Sequence, residues 1–213
     1  MDPQFKNIRV IAWDLDATLY NNIPELSLKF KEECIRKTAR VKNWPIEKVR
    51  EIYEESRRKT GSTILTFEKL GVGDFRDIGE IEKSINKKIY IKADPKLTEL
   101  FKKLSGFRHF LLTNCTQENI QSYLKALNLE SSIFENIINP ETCGGAKPHD
   151  APFLSLFIQS GLSAEKHVMV GDRDKVDIEP AKKLGMKTIL VWGKSKIADL
   201  SLPTVYDIVK VLV

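Results

Sequence analysis

From residue 107 onward, short apolar runs alternate with helix-patterned stretches, and this alternation most limits the folds open to the chain. The segments "FRHFLLTN" (107–114), "IFENIIN" (133–139), "HVMVGD" (167–172) and "KTILVW" (187–192) read as strands. Between the first two, Ile120, Tyr123, Leu124 and Leu127 recur at the i, i+3, i+4, i+7 spacing of one helix face. Leu97, Leu100, Phe101 and Leu104 do the same behind the helix-opening pair Asp94-Pro95. Such repetition predicts an α/β protein whose parallel sheet is covered by helices on both faces. A run over 8–14 supplies a further strand of the same sheet.

Residues 20–93 break the rhythm. They contain no convincing strand and read as successive helices, the first from about 26 to 41. A second follows "NWP", with Pro45 in its first turn and Val49, Ile52, Tyr53 and Ser56 on one face. Shorter helical segments are expected around 63–70 and 77–89. The predicted organisation is a catalytic-type core made of 1–19 and 94–213, with a helical subdomain, 20–93, inserted between its first and second strands. A chain of 213 residues suffices for one full core and such an insert.

Several functions are disfavoured at once. No apolar run approaches the ~20 residues of a membrane span, and residues 1–12 lack the apolar core of a signal peptide, so no membrane partner and a cytoplasmic location are expected. The net charge of +5 comes without a basic block interleaved with aromatics, so a nucleic acid polymer is not an expected partner. Cys34, Cys115 and Cys143 show no paired spacing, and His109, His149 and His167 are scattered. Carboxylates are then the plausible metal ligands, which favours Mg2+ over Zn2+. The opening "MDPQF" carries no functional signal.

The chemistry is concentrated at predicted strand ends. "VIAWDLDATLY" (10–20) sets Asp14 and Asp16 where an apolar strand surfaces, and burying an unpaired carboxylate there costs roughly several kcal/mol unless a cation neutralises it. Thr113-Asn114, Lys147-Pro148 and "GDRDKVD" (171–177) end other strand regions, and open α/β sheets bind ligands at their carboxyl ends. Taken singly each has a plain reading: a helix cap, a strand-to-helix turn, a glycine-rich loop. Their order and shared location make the set informative.

Together these pieces resemble the haloacid dehalogenase superfamily, over nearly the whole chain. "DLDATLY" is similar to its first motif, "LLTN" to the second, "KP" to the third and "VGDRDKVD" to the fourth. The resemblance implies a Rossmann-like core, a type-one helical cap and phosphoester hydrolysis with Mg2+. It implies Asp14 as nucleophile, Asp16 as general acid and base, and Lys147 as the fixed positive charge. Thr113, Asn114 and Lys147 would bind phosphate, and Asp14, Asp16, Asp172 and Asp177 would serve the metal, Asp177 either directly or behind the ligands. Asp174 reads as a solvated charge, and Cys115 and Cys143 as inert.

Within the family Asp16 is informative. A departing halide needs no proton whereas an alkoxide does, so a phosphatase is expected over a haloacid dehalogenase. The partner would be a small phosphorylated substrate. "RRKTGSTILTFEKLG" (57–71) is similar to a cap region of pyrimidine 5′-nucleotidases, with Thr60 where an aromatic is usual. A nucleotide phosphatase is therefore an alternative, as is a phosphate-binding protein without turnover. Residues 20–93 hold 17 basic and 12 acidic residues, which is the whole net charge of the chain. Arg57, Arg58 and Lys59 are expected to draw in or hold an anionic substrate. A monomer or homodimer is expected.

Overall fold

Because the strands carry apolar residues at consecutive positions, they can be buried only in a sheet covered on both faces. The structure, a computed structural model, describes residues 2–213, the side chain of Lys88 excepted. Its strands are β1 (Val10–Trp13), β2 (Arg108–Leu112), β3 (Asn136–Ile138), β4 (His167–Gly171), β5 (Lys187–Val191) and β6 (Leu200–Leu202). Their order is β3-β2-β1-β4-β5-β6, with every neighbouring pair parallel. Alternation along β1 divides the core in two. Ile11 and Trp13 pack into one cluster and Val10 and Ala12 into the other.

The helices follow from the same arithmetic. Between β1 and β2 lie α1 (Pro24–Lys42), α2 (Ile46–Thr60), α3 (Thr63–Leu70) and α4 (Phe75–Ser84). After them come α5 (Pro95–Lys103), α6 (Gln117–Leu127), α7 (Pro140–Cys143), α8 (Ala151–Ser160), α9 (Glu179–Lys183) and α10 (Val209–Leu212). Leu97, Leu100, Ile120 and Leu124 of α5 and α6 join the cluster of Trp13, whereas Phe153 and Leu156 of α8 join that of Ala12. No helix of the described residues is long and apolar enough to cross a membrane.

Connectivity decides where a ligand can bind. The chain leaves β1, proceeds to β2 and β3 on one side, then returns to β4 on the other side of β1. Strand order therefore reverses between β1 and β4, and a crevice opens outside their carboxyl ends. The loops after β1, β2 and β4 meet there.

Helices α1–α4 have a core of their own, containing Cys34, Ile35, Val49, Tyr53, Phe67 and Ile78. Ala146, from the loop beneath, packs into it. Lys175 Nζ donates to the carbonyls of Arg58 and Lys59 at 3.1 and 3.2 Å, tying the end of α2 to the segment after β4. Gly61 closes α2 with φ at 69°, and a Cβ built there would lie 2.7 Å from Lys175 Cβ, so this seat needs a glycine twice over. On the other side, Asn119 Nδ2 donates to Gly79 O at 2.9 Å.

Some local expectations change. Strand β6 is three residues long, too short for its alternation to signal a strand. Pro45 precedes α2 as its N-cap instead of entering its first turn. The segment 77–89 divides into the end of α4 and a 3-10 turn, Lys87–Ile89. "MDPQF" is built into the fold: Phe5 is 1% exposed, and Asp2 N donates to Val211 O at 2.7 Å.

Two histidines pin the sheet in their neutral form. His109 Nδ1 accepts Trp13 Nε1 at 3.1 Å, leaving Nε2–H for Leu104 O at 3.1 Å. His167 pairs with Ser160 Oγ and Ser163 O at 2.8 and 2.9 Å. Burial lowers both pKa values, with backbone acceptors opposing it. The unfolded chain therefore takes up these protons first, and the stabilisation present above about pH 6.5 is lost as pH falls toward the folded values. The stability cost of His167→Gln, from urea denaturation, should be smaller at pH 5 than at pH 7.5. A cost independent of pH would contradict the neutral assignment.

Candidate active site

Lys147 organises the crevice. Its side chain is 0% exposed, and Nζ lies 2.7 Å from both Asp14 Oδ1 and Asp177 Oδ1. Burial works against the charged ammonium, but the carboxylates of Asp14 and Asp177 outweigh it and raise the pKa. The backbone around Lys147 is clamped by Asn114, whose Nδ2 donates to Lys147 O at 2.8 Å and whose Oδ1 accepts Lys147 N at 2.7 Å. Asn114, expected to bind phosphate, thus has its amide committed to placing the lysine. The Lys147–Pro148 peptide is cis.

Asp14 begins where β1 ends, and its N–H still donates to Val170 O at 2.9 Å. Two residues beyond Asp16's neighbour Leu15, Ala17 takes φ 57° and turns the chain, so that Thr18 Oγ1 donates to Asp14 Oδ2 at 3.0 Å. Both Asp14 oxygens are therefore held. Thr113, buried at the end of β2, accepts Cys115 N on its hydroxyl at 3.2 Å. Gly171 ends β4 against Asp177: a Cβ there would lie 2.4 Å from Asp177 Cβ, so a larger residue would displace the carboxylate.

Oxygens of Asp14, Asp172 and Asp177 all lie within 4.8 Å of one another. Burial raises Asp172 to about 8, against the pull of Arg173, and its Oδ1 is buried without a hydrogen-bond partner. Arg173 Nε stands 3.3 Å from Asp172 Oδ1 and 3.8 Å from Asp177 Oδ2. An unsatisfied oxygen among three carboxylates, with no thiolate or imidazole in the group, fits a hard divalent cation. Asp174, expected to be a solvated charge, has a buried Oδ1 with no hydrogen-bond partner and is not one of the three.

Asp16 differs from its expected place among the metal side chains. Its Oδ1 accepts Tyr20 Oη at 2.8 Å and its Oδ2 accepts the Cys115 thiol at 2.7 Å, and its acidic neighbour is Glu82. The turn at Ala17 explains the separation, since it brings Thr18 back to Asp14 while Asp16 faces Tyr20 one helical turn on. Burial, reinforced by Asp16, raises the pKa values of Tyr20 and Cys115, so both remain proton donors. Tyr20 is legible afterward as the i+4 neighbour of Asp16. Cys115 is not, because its partner is 99 residues away.

Asp14, Asp16, Tyr20, Thr113, Cys115, Asp172 and Arg173 line one cavity of about 400 Å³, which residues of α1–α4 line from the other side. Of the three basic residues singled out at the end of α2, Arg57 lines it, and burial lowers its pKa. Arg58 and Lys59 are exposed, and Lys59 pairs with Glu55 at 2.5 Å. Part of the basic charge in the insert is taken up in such pairs, among them Lys31–Glu54, Lys37–Asp77 and Arg50–Glu32. Glu82 and Lys87 also line the cavity, although neither stands out in the sequence.

The combination defines a class: a doubly wound α/β protein with a cluster of three aspartates where its strand order reverses, roofed by a helical insert. Comparison with known proteins is more specific. The family model "Haloacid dehalogenase-like hydrolase" matches residues 11–191, and the chain belongs to that family. It is similar to a phosphoglycolate phosphatase of Aquifex aeolicus, 31% identical over 96% of this chain and 97% of that protein. A glyceraldehyde 3-phosphate phosphatase of Methanocaldococcus jannaschii is 45% identical over a shorter stretch, 30% of this chain and 28% of that protein. Among solved structures, a HAD phosphatase from Thermococcus onnurineus superposes with a TM-score of 0.67 at 19% identity, covering 96% of this chain and 98% of that one.

Removing one partner of a buried ion pair strands the others. Lys147→Met should therefore cost about 3–5 kcal/mol in urea denaturation. Adding Asp177→Asn removes one of the two stranded charges and should restore part of that loss. A double variant no more stable than Lys147→Met would show that charge is not what the lysine contributes.

Proposed function

We propose that this protein is a Mg2+-dependent phosphatase acting on a small phosphorylated metabolite through an aspartyl-phosphate at Asp14. One observation carries the reading: Asp14 opens on a small cavity with both oxygens fixed, by Lys147 and Thr18, while a second, separately held acid, Asp16, faces the same space. The names of relatives that match along the whole chain support it.

The chemistry divides between the two aspartates. Asp14 attacks phosphorus, and the bond from phosphorus to the leaving oxygen breaks as protonated Asp16 gives that oxygen a proton. Asp16 then takes a proton from water, which attacks the aspartyl-phosphate, releases phosphate and restores Asp14. Tyr20 and Cys115 hold Asp16 between these two duties. Lys147 offsets charge on Asp14, and Thr113 can donate its hydroxyl to the transferring group while it accepts Cys115 N. Asp14, Asp172 and Asp177 would hold Mg2+, which supplies positive charge against the repulsion between phosphoryl group and nucleophile.

Helices α1–α4 act, in this reading, as the cap that encloses the reaction, with Arg57 as its contribution to the phosphoryl end of the cavity. A held acid at Asp16 favours an oxygen leaving group over a halide, so the dehalogenase alternative stands behind the phosphatase.

Asp14→Asn should abolish turnover of p-nitrophenyl phosphate with an unchanged circular dichroism spectrum. EDTA should do the same reversibly, with activity restored by Mg2+. A near-wild-type rate in either test overturns the assignment. Asp16→Asn should lower kcat about 10²- to 10⁴-fold, more for alkyl than for p-nitrophenyl phosphate, because the poorer leaving group depends more on the acid. Equal losses would remove Asp16 from that role. For Arg57→Ala, kcat/KM should fall and vary less with ionic strength than in wild type. Identical salt dependence would return Arg57 to a structural role.

A further inference from the structure

Asp16 divides the cavity. On one side lies the acidic trio of Asp14, Asp172 and Asp177; on the other, with ligand atoms within 4.8 Å of Asp16, lie Glu82 and Cys115. If Asp16 protonates the leaving oxygen, the carbon bonded to that oxygen lies on the Glu82 side. What lines that side then selects the alcohol.

Lys87 is the unusual group there. It comes from the 3-10 turn after α4, and its side chain is only 5% exposed. Its ammonium lies over the Tyr123 ring, 3.5 Å from the centroid, and 3.5 Å from Glu82 Oε2. Even so, Nζ makes no hydrogen bond among the described residues. A buried ammonium has three donors to satisfy, and leaving them unmade is costly. Glu82 Oε2 is itself positioned by Asn119 Nδ2 at 3.1 Å, and Asn119 also holds Gly79 O. Both Lys87 and Glu82 line the cavity.

We propose that Glu82 and Lys87 form a subsite for a hydroxyl group of the leaving alcohol, and that the substrate class is short phosphorylated polyols or hydroxycarbonyl compounds. A hydroxyl is the group that uses both members at once, accepting from the Lys87 ammonium and donating to the Glu82 carboxylate. A bare carboxylate at the same place would gain Lys87 but meet Glu82 and Asp16, two groups of its own charge. Leu26, Ile64, Ile78 and Ile85 supply apolar wall to the same cavity, against which the carbon skeleton of a short alcohol can rest. This inference rests on the phosphatase reading, because the leaving alcohol is located through Asp16.

Binding can be measured apart from turnover. In Asp14→Asn protein with Mg2+, isothermal titration calorimetry would compare sn-glycerol 3-phosphate, n-propyl phosphate and 2-phosphoglycolate. The hydroxylated ester should bind about 10- to 100-fold more tightly than the propyl ester, the range for hydrogen bonds to charged groups. Lys87→Met and Glu82→Gln, each introduced into that protein and checked by thermal melting, should bring the ratio to within about threefold of one. A ratio near one in the parent, a ratio unchanged by both variants, or tighter binding of 2-phosphoglycolate than of sn-glycerol 3-phosphate would each overturn the subsite. Turnover of p-nitrophenyl phosphate by the otherwise wild-type enzyme reports on the phosphatase reading separately. If the enzyme fails that assay while the ratio collapses as expected, the subsite stands and the hydrolytic reading falls.

Discussion

Everything at the crevice depends on the buried contact of Lys147 with Asp14 and Asp177. An ammonium with no solvent exposure is stable only if carboxylates surround it, and those carboxylates are tolerable only because of the ammonium. The two acids come from segments after β1 and β4, which the sheet order makes neighbours, while Lys147 arrives from the connection between β3 and β4. A misplacement of any one segment leaves a charge stranded, so the electrostatics hold the loops in register as firmly as packing holds the sheet. Trp192 adds a neutral brace, donating Nε1 to Thr18 O at 2.9 Å from beyond β5.

The site then separates into a half built on the aspartate trio and a half built around Glu82 and Lys87. In the first, Asp14, Asp172 and Asp177 face Lys147 and Arg173, three carboxyl groups against two fixed cations, and Oδ1 of Asp172 is buried without a hydrogen-bond partner. In the second, burial raises Glu82 to about 7 despite Lys87, so this region tolerates added negative charge poorly. Asp16 stands at the boundary, its two oxygens occupied by a phenol and a thiol that burial keeps protonated. An acid so placed reaches the bond that breaks, while its position away from the trio leaves its carboxylate for proton transfer.

Much of this was legible in the amino-acid order, for identifiable reasons. Strands such as Lys187–Val191 and helices such as Gln117–Leu127 announce themselves by period, because their burial is set by local geometry. Asp14, Thr113 and Asp172 were recognisable since each follows a strand whose end the pattern locates, whereas Lys147, expected at a strand end, lies beyond α7 in the connection from β3. Long-range pairings were not: Cys115 with Asp16, Asn114 with the Lys147 backbone, and Lys87 with Glu82 and Tyr123 depend on which loops the sheet brings together. Counting charges in 20–93 gives a sum but no positions, and only the structure separates Arg57, which lines the cavity, from the exposed Arg58 and Lys59.

The insert is seated on the core by polar and apolar contacts. Lys175 reaches the last turn of α2, Asn119 reaches α4, and Ala146 enters the insert's own core directly beside Lys147. The first two are polar contacts, that of Lys175 exposed and that of Asn119 buried, whereas the third is apolar and immediately adjacent to the buried ion pair. Ala146 therefore keeps apolar surface against the surroundings of Lys147, and the low dielectric there strengthens the interaction that fixes Asp14. In this geometry the roof and the nucleophile are coupled through one residue step, from Ala146 to Lys147, and the electrostatic strength of the site depends on whether the cavity is covered.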